Sequence, residues 1–218
     1  MGIAETYSAA FAPEQTVLVA LLLVAIVEAR FEEDGPKALV GRAGTALVGR
    51  AGTVLLGAGV AVALIALTPE LLVGESAGDL QASLALIVGL GVITAIWRIR
   101  GWGDHVVWAC VTIAAVSVVH AVIVPFWNLS GHVAFTATPL GAVALADRRA
   151  LVLVAVPIAM MPARVGTGVH TPLEVVAGFG LALVALAILA WARPEYRQSW
   201  SGFVQRSRAV VRSHTGRS

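Results

Sequence analysis

Charged residues are scarce in this chain of 218 residues: Asp, Glu, Lys and Arg make up 13% of it, whereas 58% is hydrophobic. Soluble domains carry about 25% charged residues, so the composition excludes an ordinary soluble domain and indicates an integral membrane protein. The single cysteine, Cys110, lies in an apolar run and excludes a disulfide framework and a thiolate metal site. The first 15 residues contain no lysine or arginine, so we expect no secretory signal peptide.

Seven apolar runs follow one another along the chain, at residues 16–29, 51–68, 80–97, 105–126, 131–146, 150–161 and 172–192. Most approach the ~20 residues that a membrane-spanning helix needs, and the sixth is short. Backbone polar groups in lipid must be hydrogen-bonded within the segment, so these runs are predicted to be helices. The predicted fold is all-α, a polytopic membrane bundle of about seven spans within residues 1–192, followed by a basic tail at residues 193–218.

The basic residues predict the orientation of the bundle. Arg30, Arg98 and Arg148 follow the first, third and fifth runs, and the basic tail follows the seventh. In an alternating bundle these ends share one side, which the positive-inside rule makes cytoplasmic, with the N-terminus outside. Arg164 is the one basic residue on the outer side, and a misplaced charge in a membrane protein marks a candidate functional site. Because positive charge gathers at helix ends, membrane lipids are the expected partners rather than nucleic acid.

The outer loop between the sixth and seventh runs contains Arg164, then His170 after five intervening residues, then Glu174 after three. Thr171 followed by Pro172 predicts a helix start, with a capping hydroxyl and proline at the first helical position. Glu174 then lies in the first turn, on the same face as His170, where a carboxylate fixes the imidazole tautomer. The guanidinium of Arg164 suits a phosphate or a carboxylate.

The preceding outer loop ends in Ser130, Gly131 and His132, at the start of the fifth predicted helix. Free backbone N–H groups and the positive end of the helix dipole favour an anion there. A serine hydroxyl and an unhindered glycine amide suit phosphate oxygens, and His132 is a candidate proton donor to a leaving oxygen. A metal ion held by His132, His170 and Glu174 is not expected, because the neighbouring guanidinium repels a cation.

These two motifs resemble those of the type 2 phosphatidic acid phosphatase family, whose fold is a six-helix membrane bundle related to vanadium haloperoxidases. The family carries Lys-x6-Arg-Pro, Pro-Ser-Gly-His and Ser-Arg-x5-His-x3-Asp. Residues 129–132 are similar to the second motif and residues 163–174 to the third, followed by a family-like Val-Val-Ala-Gly at 175–178. The resemblance covers residues 105–192. It implies a phosphatase-like core at about residues 51–192, with the first run as an extra N-terminal helix.

The chain departs from the family pattern at several positions. Leu129 stands for the proline of the second motif, and Ala163 and Glu174 stand for the serine and the aspartate of the third. The first motif, Lys-x6-Arg-Pro, is missing. At its expected place, the outer end of the fourth helix, only His120 is polar enough to substitute, and a core histidine explains it equally well. The phosphate clamp is therefore expected to be thinner than in the family.

The resemblance implies a phosphatase that hydrolyses a lipid phosphate or an isoprenyl diphosphate from the outer leaflet, without a cofactor. His170 is then the nucleophile that forms a phosphohistidine, and Glu174 holds its other ring nitrogen. His132 protonates the leaving group. Charge on the equatorial oxygens is stabilised by three groups: the Arg164 guanidinium, the Ser130 hydroxyl and the Gly131 amide.

Three other interpretations stay open. A phosphotransferase uses the same residues but passes the phosphorylated group to an alcohol, so its product depends on an acceptor. A non-catalytic relative binds anionic lipid in the residual pocket without turnover. A transporter is expected to carry its charges at the midplane of the helices, whereas here they lie at helix ends. The pattern indicates no particular oligomeric state.

Overall fold

The structure is a computed structural model that describes residues 2–32, 42–68, 77–194 and 196. No strand occurs in these ranges, so the predicted all-α fold is confirmed. Residues 197–218 of the predicted basic tail lie outside the described residues. The helices are α1 (Ile3–Ala10), α2 (Pro13–Glu32), α3 (Arg42–Leu67), α4 (Ala77–Arg100), α5 (His105–Ile123), α6 (Gly131–Ala146), a 3-10 helix (Arg148–Val154), α7 (Ala155–Gly166) and α8 (Pro172–Ala192).

Five stretches of the described chain are long and apolar enough to cross a membrane: Ala46–Leu67, Ala77–Arg100, His105–Ile123, Arg148–Gly166 and Pro172–Ala192. α1 and α2 make a sixth candidate together, although the chain bends by 46° between them. α6 corresponds to the fifth apolar run but has only 16 residues, fewer than a span requires. The described chain is therefore a polytopic helical bundle with five or six candidate spans, where the sequence suggested about seven.

α6 is the central helix of the bundle. All of its residues from 133 to 144 are buried, and its neighbours are α2, α5, α7, α8 and the 3-10 helix. Most of these residues are small, which lets neighbouring backbones approach closely. Gly141 lies directly against the Leu186 side chain of α8 and leaves no room for a β-carbon. Because other helices enclose α6, its length is not tied to the thickness of the bilayer.

The first apolar run lies inside the bundle rather than at its edge. α2 packs against α3, α5 and α6. Ala20, Leu21, Val24 and Ala25 are at most 2% exposed and belong to the same buried cluster as side chains of α4, α5 and α6. The sequence predicted this helix as an addition to a six-helix core without indicating whether it is packed or peripheral, and in the described bundle it is packed among the other helices.

α3 and α4 form an antiparallel hairpin that is held at two levels. Near the middle, a β-carbon on Gly89 would lie 2.5 Å from the carbonyl oxygen of Gly57, so the two backbones are in direct contact. At one end, Nε2 of Gln81 donates to the carbonyl oxygen of Ile65 at 3.0 Å and lies 2.9 Å from Oγ1 of Thr68. The hairpin is therefore one rigid wall of the bundle.

The helices alternate in direction, so two sets of helix ends form two rims. The N-terminal ends of α2, α4, α6 and α8 meet the C-terminal ends of α3, α5 and α7 at one rim, called the site rim. The opposite rim holds Glu28, which is 2% exposed and accepts from Nε1 of Trp97 at 2.8 Å and from the backbone N–H of His105 at 2.6 Å. Which rim faces the outside stays a prediction.

Candidate functional site

A pocket of about 780 Å3 opens at the site rim and contains most of the polar residues that the sequence analysis selected. Arg164 reaches it from α7, His132 from α6 and His170 from the loop before α8. The rest of its wall is mostly apolar and comes from α2, α3 and α4. The two loops selected from the sequence therefore meet in one place, with two imidazoles and a guanidinium facing the same space.

Asn128 joins these two loops by two hydrogen bonds. Its side-chain Nδ2 donates to the carbonyl oxygen of Val169 at 3.1 Å. Its own carbonyl oxygen lies 3.1 Å from Nδ1 of His170. Asn128 lies just before the Leu-Ser-Gly-His segment. Its two hydrogen bonds hold the loop before α8 in position at His170.

The hydrogen-bond partners of His170 determine its tautomer. Nδ1 faces the carbonyl oxygen of Asn128 at 3.1 Å and the Glu174 carboxylate at 3.6 Å, and both of these groups can only accept. Nδ1 must therefore carry the proton, which leaves the lone pair of the neutral ring on Nε2. His170 is 8% exposed and lines the pocket. Its unprotonated nitrogen is available to attack an electrophile bound there.

The surroundings of His170 favour its neutral form. Burial is the largest effect and lowers the pKa of this imidazole below its usual 6.5, and the nearby Arg164 guanidinium lowers it further. The Asn128 carbonyl, Glu174 and Asp79 oppose this shift but do not reverse it. At neutral pH the ring is therefore neutral rather than a cation.

The start of α8 positions Glu174, as the sequence predicted for this helix. Thr171 is the N-cap and Pro172 follows at the first helical position. Oε2 of Glu174 accepts from the backbone N–H of Thr171 at 2.8 Å, and the Glu174 N–H donates to Oγ1 of Thr171 at 3.4 Å, which completes a capping box. Gly168 precedes this cap with φ +72°, a conformation that glycine adopts without strain. The carboxylate thus caps the helix and lies beside His170.

Arg164 and His132 provide the groups that face the pocket from the helices. Arg164 lies in the last turn of α7, and its Nε is buried without a hydrogen-bond partner among the described residues. His132 lies in the first turn of α6, and no partner for its imidazole occurs within residues 2–32, 42–68 and 77–194. A ligand with several acceptor oxygens would satisfy both side chains.

Ser130 and Gly131 differ in their access to the pocket. Ser130 is the N-cap of α6, is fully buried, and its hydroxyl has no partner among the described residues. Its carbonyl oxygen presses against Gly178 of α8, where a β-carbon would lie 2.6 Å away. Gly131 lines the pocket, whereas the buried Ser130 is not among the residues that line it.

His120, the candidate substitute for the missing first motif, is a buried pocket residue 1% exposed. Its Nε2 lies 3.2 Å from the carbonyl oxygen of Leu129, which can only accept, so the ring proton is on Nε2. Nδ1 then accepts from the Ser83 hydroxyl at 3.0 Å. A neutral pair of side chains thus occupies the place where the family resemblance would put two cations.

The sequence analysis did not select five polar residues that line the pocket: Glu14, Gln15, Asp79, Ser83 and Asn128. Asp79 lies in the first turn of α4 and acts electrostatically on Arg164 and His170. Asp79 and Ser83 are four residues apart, which puts both on one face of α4. That spacing in a mostly apolar helix was a usable signal, whereas the local sequence gave no reason to place Asn128 in the pocket.

The site combines an imidazole with a free lone pair, a second imidazole, a guanidinium and the N-terminal end of α6 around one apolar pocket. Such groups bind an anion and support nucleophilic attack with proton transfer. No group of three His, Cys, Asp or Glu side chains with metal-binding geometry occurs in the described chain. Comparison with protein-family models, curated proteins and solved structures gives no match to this chain.

Proposed function

We propose that the protein is a membrane phosphatase that hydrolyses a lipid phosphate through a phosphohistidine on His170, as type 2 phosphatidic acid phosphatases do. The observation that carries this proposal is the convergence of Arg164, His132 and His170 on one pocket whose remaining wall is mostly apolar. The polar end suits a phosphate, and the apolar walls suit the hydrocarbon part of a lipid.

In the first step, Nε2 of His170 attacks phosphorus and the bond to the leaving alkoxide or phosphate breaks. The proton on Nδ1 stays with the ring, where the Asn128 carbonyl and Glu174 stabilise the positive charge that develops. Burial and, next, the Arg164 guanidinium lower the pKa of His132 to about 4, so its ring is neutral in the free protein. The negative charge of a bound phosphate raises that pKa, and the protonated His132 then gives its proton to the leaving oxygen.

In the second step, water attacks the phosphohistidine and His132, now neutral, takes the proton of that water. The bond between phosphorus and Nε2 breaks, and inorganic phosphate leaves while His170 regains its lone pair. Each turnover consumes one water molecule and restores both histidines. Neither step calls for a redox change.

Among the described residues, one guanidinium, that of Arg164, lines this site. Arg164 and the backbone N–H groups at the start of α6 face the phosphate, while His120 and Ser83 form a neutral pair. Loss of one donor to a transition-state oxyanion commonly costs about 10²–10³ in rate. The enzyme is therefore expected to be slower than a relative with the complete first motif.

The alternative, a lipid-binding protein without turnover, is favoured by one observation. Asp79 shares the pocket with Arg164 and places a negative charge near the bound phosphate. Repulsion between this carboxylate and a developing oxyanion lowers the rate more than it lowers the binding of a singly charged headgroup. Binding of a lipid phosphate without release of inorganic phosphate identifies this alternative.

The decisive experiment traps the covalent intermediate. Purified protein in detergent is mixed with a ³²P-labelled short-chain alkyl phosphate and quenched in denaturant. We expect label on the protein that is stable in alkali and lost in acid, as a phosphoramidate is, and steady release of inorganic phosphate. His170→Ala abolishes both signals, and label retained in that variant overturns the nucleophile assignment.

A matched pair of arginine variants tests the phosphate clamp. Arg164→Ala removes the guanidinium from the pocket and should lower kcat/KM by about 10²-fold or more. Arg149→Ala removes an exposed guanidinium from the opposite rim and should leave kcat/KM unchanged. Equal activities for the two variants contradict a phosphate contact by Arg164.

A further inference from the structure

The charged side chains that line the pocket carry more negative than positive charge. Among the described lining residues, the carboxylates of Glu14 and Asp79 accompany the guanidinium of Arg164. The imidazoles of His132 and His170 do not restore the balance, because burial lowers the pKa of both rings, that of His132 to about 4. The third imidazole of the pocket belongs to the neutral pair described above. At neutral pH the free pocket therefore has an excess of negative charge.

The pocket nevertheless offers unsatisfied polar groups to a phosphate. Nε of Arg164 is buried without a hydrogen-bond partner in the described chain. His170 is 8% exposed, and only its Nδ1 is bonded there, which leaves Nε2 free. A phosphate satisfies both groups but adds to the negative excess, which is costly in a pocket whose wall is mostly apolar. A positive group that enters together with the phosphate removes this cost.

Asp79 lies close enough to the phosphate end to act on such a positive group. It acts electrostatically on His132, Arg164 and His170. No ion pair joins it to Arg164 in the part of the chain that the structure describes. Asp79 and Glu14 both lie in the first turn of a helix, where the helix dipole favours a negative charge. Two carboxylates thus remain available to a ligand.

Three lining side chains offer acceptor oxygens: Glu14, Gln15 and Asp79. None of these side chains has a hydrogen bond or an ion pair with another described residue. A primary ammonium has three N–H donors and forms charge-assisted hydrogen bonds with carboxylates. Quaternary ammonium groups are bound by aromatic cages instead, and Phe135 is the one Phe, Tyr or Trp among the described lining residues. The lining therefore fits a primary ammonium.

The described residues favour an ammonium over a metal ion as the positive group. A divalent ion such as Mg²⁺ requires near-ideal octahedral coordination. No group of three His, Cys, Asp or Glu side chains that could hold a metal ion occurs within the described ranges. An ammonium needs only acceptors within hydrogen-bond reach, and its organic part brings it to the pocket together with the phosphate.

We propose that this pocket binds a zwitterionic phospholipid headgroup, in which a primary ammonium is joined to the phosphate ester through two carbons. The phosphate contacts Arg164 and His170, and the ammonium contacts Asp79 and Glu14. The hydrocarbon lies against the apolar wall that α2, α3 and α4 provide. The phosphate part of this inference rests on the proposed function, whereas the ammonium part rests on the two carboxylates.

A matched pair of ligands that cannot be hydrolysed tests the ammonium. Hexadecyl(3-aminopropyl)phosphinate and hexadecyl(butyl)phosphinate have the same length and the same singly charged phosphinate, and differ only in an ammonium in place of a methyl group. The propyl linker reproduces the spacing of an aminoethyl ester. Equilibrium binding to the full-length protein in detergent should be at least about fivefold tighter for the aminopropyl compound. Equal affinities overturn the inference.

Conservative variants of the two carboxylates test where the ammonium lies. Asp79→Asn should tighten binding of the butyl compound but not of the aminopropyl compound, so that the preference between them falls to about twofold or less. Glu14→Gln should reduce the preference in the same direction. Glu5→Gln, at an exposed position of α1 outside the pocket, should keep the wild-type preference. A general loosening of the site weakens both compounds alike, and a preference unchanged in both pocket variants overturns the assignment.

Two further measurements test the source of the positive charge and of the headgroup. Neither EDTA nor Mg²⁺ should change the affinity of either compound. A rise of about fivefold for the butyl compound with Mg²⁺, lost in Asp79→Asn, overturns the inference in favour of a metal ion. Methyl(3-aminopropyl)phosphinate, which has no long chain, should bind at least about tenfold more weakly than the hexadecyl compound. Equal binding of these two overturns the lipid part of the inference.

These binding measurements need no turnover, so they separate the two proposals. A preference for the aminopropyl compound without phosphate release from an alkyl phosphate overturns the phosphatase and keeps the ammonium site. Phosphate release from an alkyl phosphate with equal affinities for the two phosphinates overturns the ammonium site and keeps the phosphatase.

Discussion

Nδ1 of His170 lies 3.1 Å from the carbonyl oxygen of Asn128, a residue 42 positions earlier in the chain. The same asparagine donates from its side chain to the carbonyl oxygen of Val169, beside the histidine. The orientation of the proposed nucleophile is therefore set by a loop that belongs to a different pair of helices. The capping box at the start of α8 supplies the second constraint, through Glu174.

Asn128→Ala is expected to loosen the site without unfolding the bundle. The variant keeps the carbonyl that faces His170 but loses the bond to Val169, so the two loops are free to shift. Misplacement of a nucleophile by about 1 Å costs up to about 10² in rate, and we expect kcat to fall at least tenfold. The measurement is kcat alongside Tm, which should change little, and a normal kcat contradicts this role.

The pKa of His170 should change when the charges around its ring are changed. Its pKa lies below 6.5 because of burial and Arg164, and the protonated ring has no lone pair for attack. Activity should therefore be present above this pKa and fall as pH decreases through it. Arg164→Gln removes a charge that lowers the pKa and should raise it, whereas Glu174→Gln should lower it further. NMR titration of the His170 ring checks both signs, and shifts in one common direction contradict this account.

Asp79→Asn is expected to strengthen anion binding. The substitution removes a negative charge that acts on Arg164 and His170 in the same pocket. Removal of a negative charge from the pocket that binds the anion is worth about 1 kcal/mol, or about fivefold in affinity. Inhibition by inorganic phosphate measures the change, with Glu5→Gln at an exposed position of α1 as the control. Weaker inhibition in Asp79→Asn shows that the carboxylate supports binding instead.

Gly131 is expected to be intolerant of even one methyl group. A β-carbon there would lie 2.9 Å from Nε2 of His120, whose ring is fixed by Ser83 and Leu129. Gly131→Ala should destabilise the protein by about 1–3 kcal/mol, because a packed and bonded ring must move. Gly180→Ala, in the middle of α8 with open space around it, should be neutral or stabilising. Thermal unfolding in detergent compares the two, and equal Tm values contradict the close contact.

Glu28 at the opposite rim is expected to matter for stability alone. Its carboxylate accepts from Trp97 and from the backbone of His105, and it joins α2 to α4 and α5. Glu28→Ala removes these buried contacts and should cost about 2–4 kcal/mol. Glu14→Ala, at an exposed position of the same helix, is the control and should leave Tm unchanged. Folded Glu28→Ala protein should keep the wild-type KM for a lipid phosphate, and a changed KM shows that the two rims are coupled.

The local sequence was sufficient to predict the helices and the helix ends that carry the site residues. Apolar runs predicted the bundle because backbone groups in lipid must be bonded within a helix. Thr171 and Pro172 predicted the start of α8, because the capping bond of Thr171 depends on neighbouring residues only. Ser130 with Gly131 predicted the start of α6, although the Ser130 hydroxyl makes no capping bond there. The short helix α1 was missed, since eight residues give too weak a pattern.

The sequence by itself determined an all-α membrane chain and placed Arg164, His170, Glu174 and the Ser-Gly-His segment at helix ends. Only the tertiary structure brought Asp79, Ser83 and Asn128 into the same pocket and enclosed α2 and α6. The physical reason is that an apolar helix has the same composition whether lipid or protein surrounds it. Its neighbours, and the pocket between them, are decided by close packing at positions such as Gly57 and Gly89, where two backbones touch, and Gly141, where the Leu186 side chain packs against the backbone of α6.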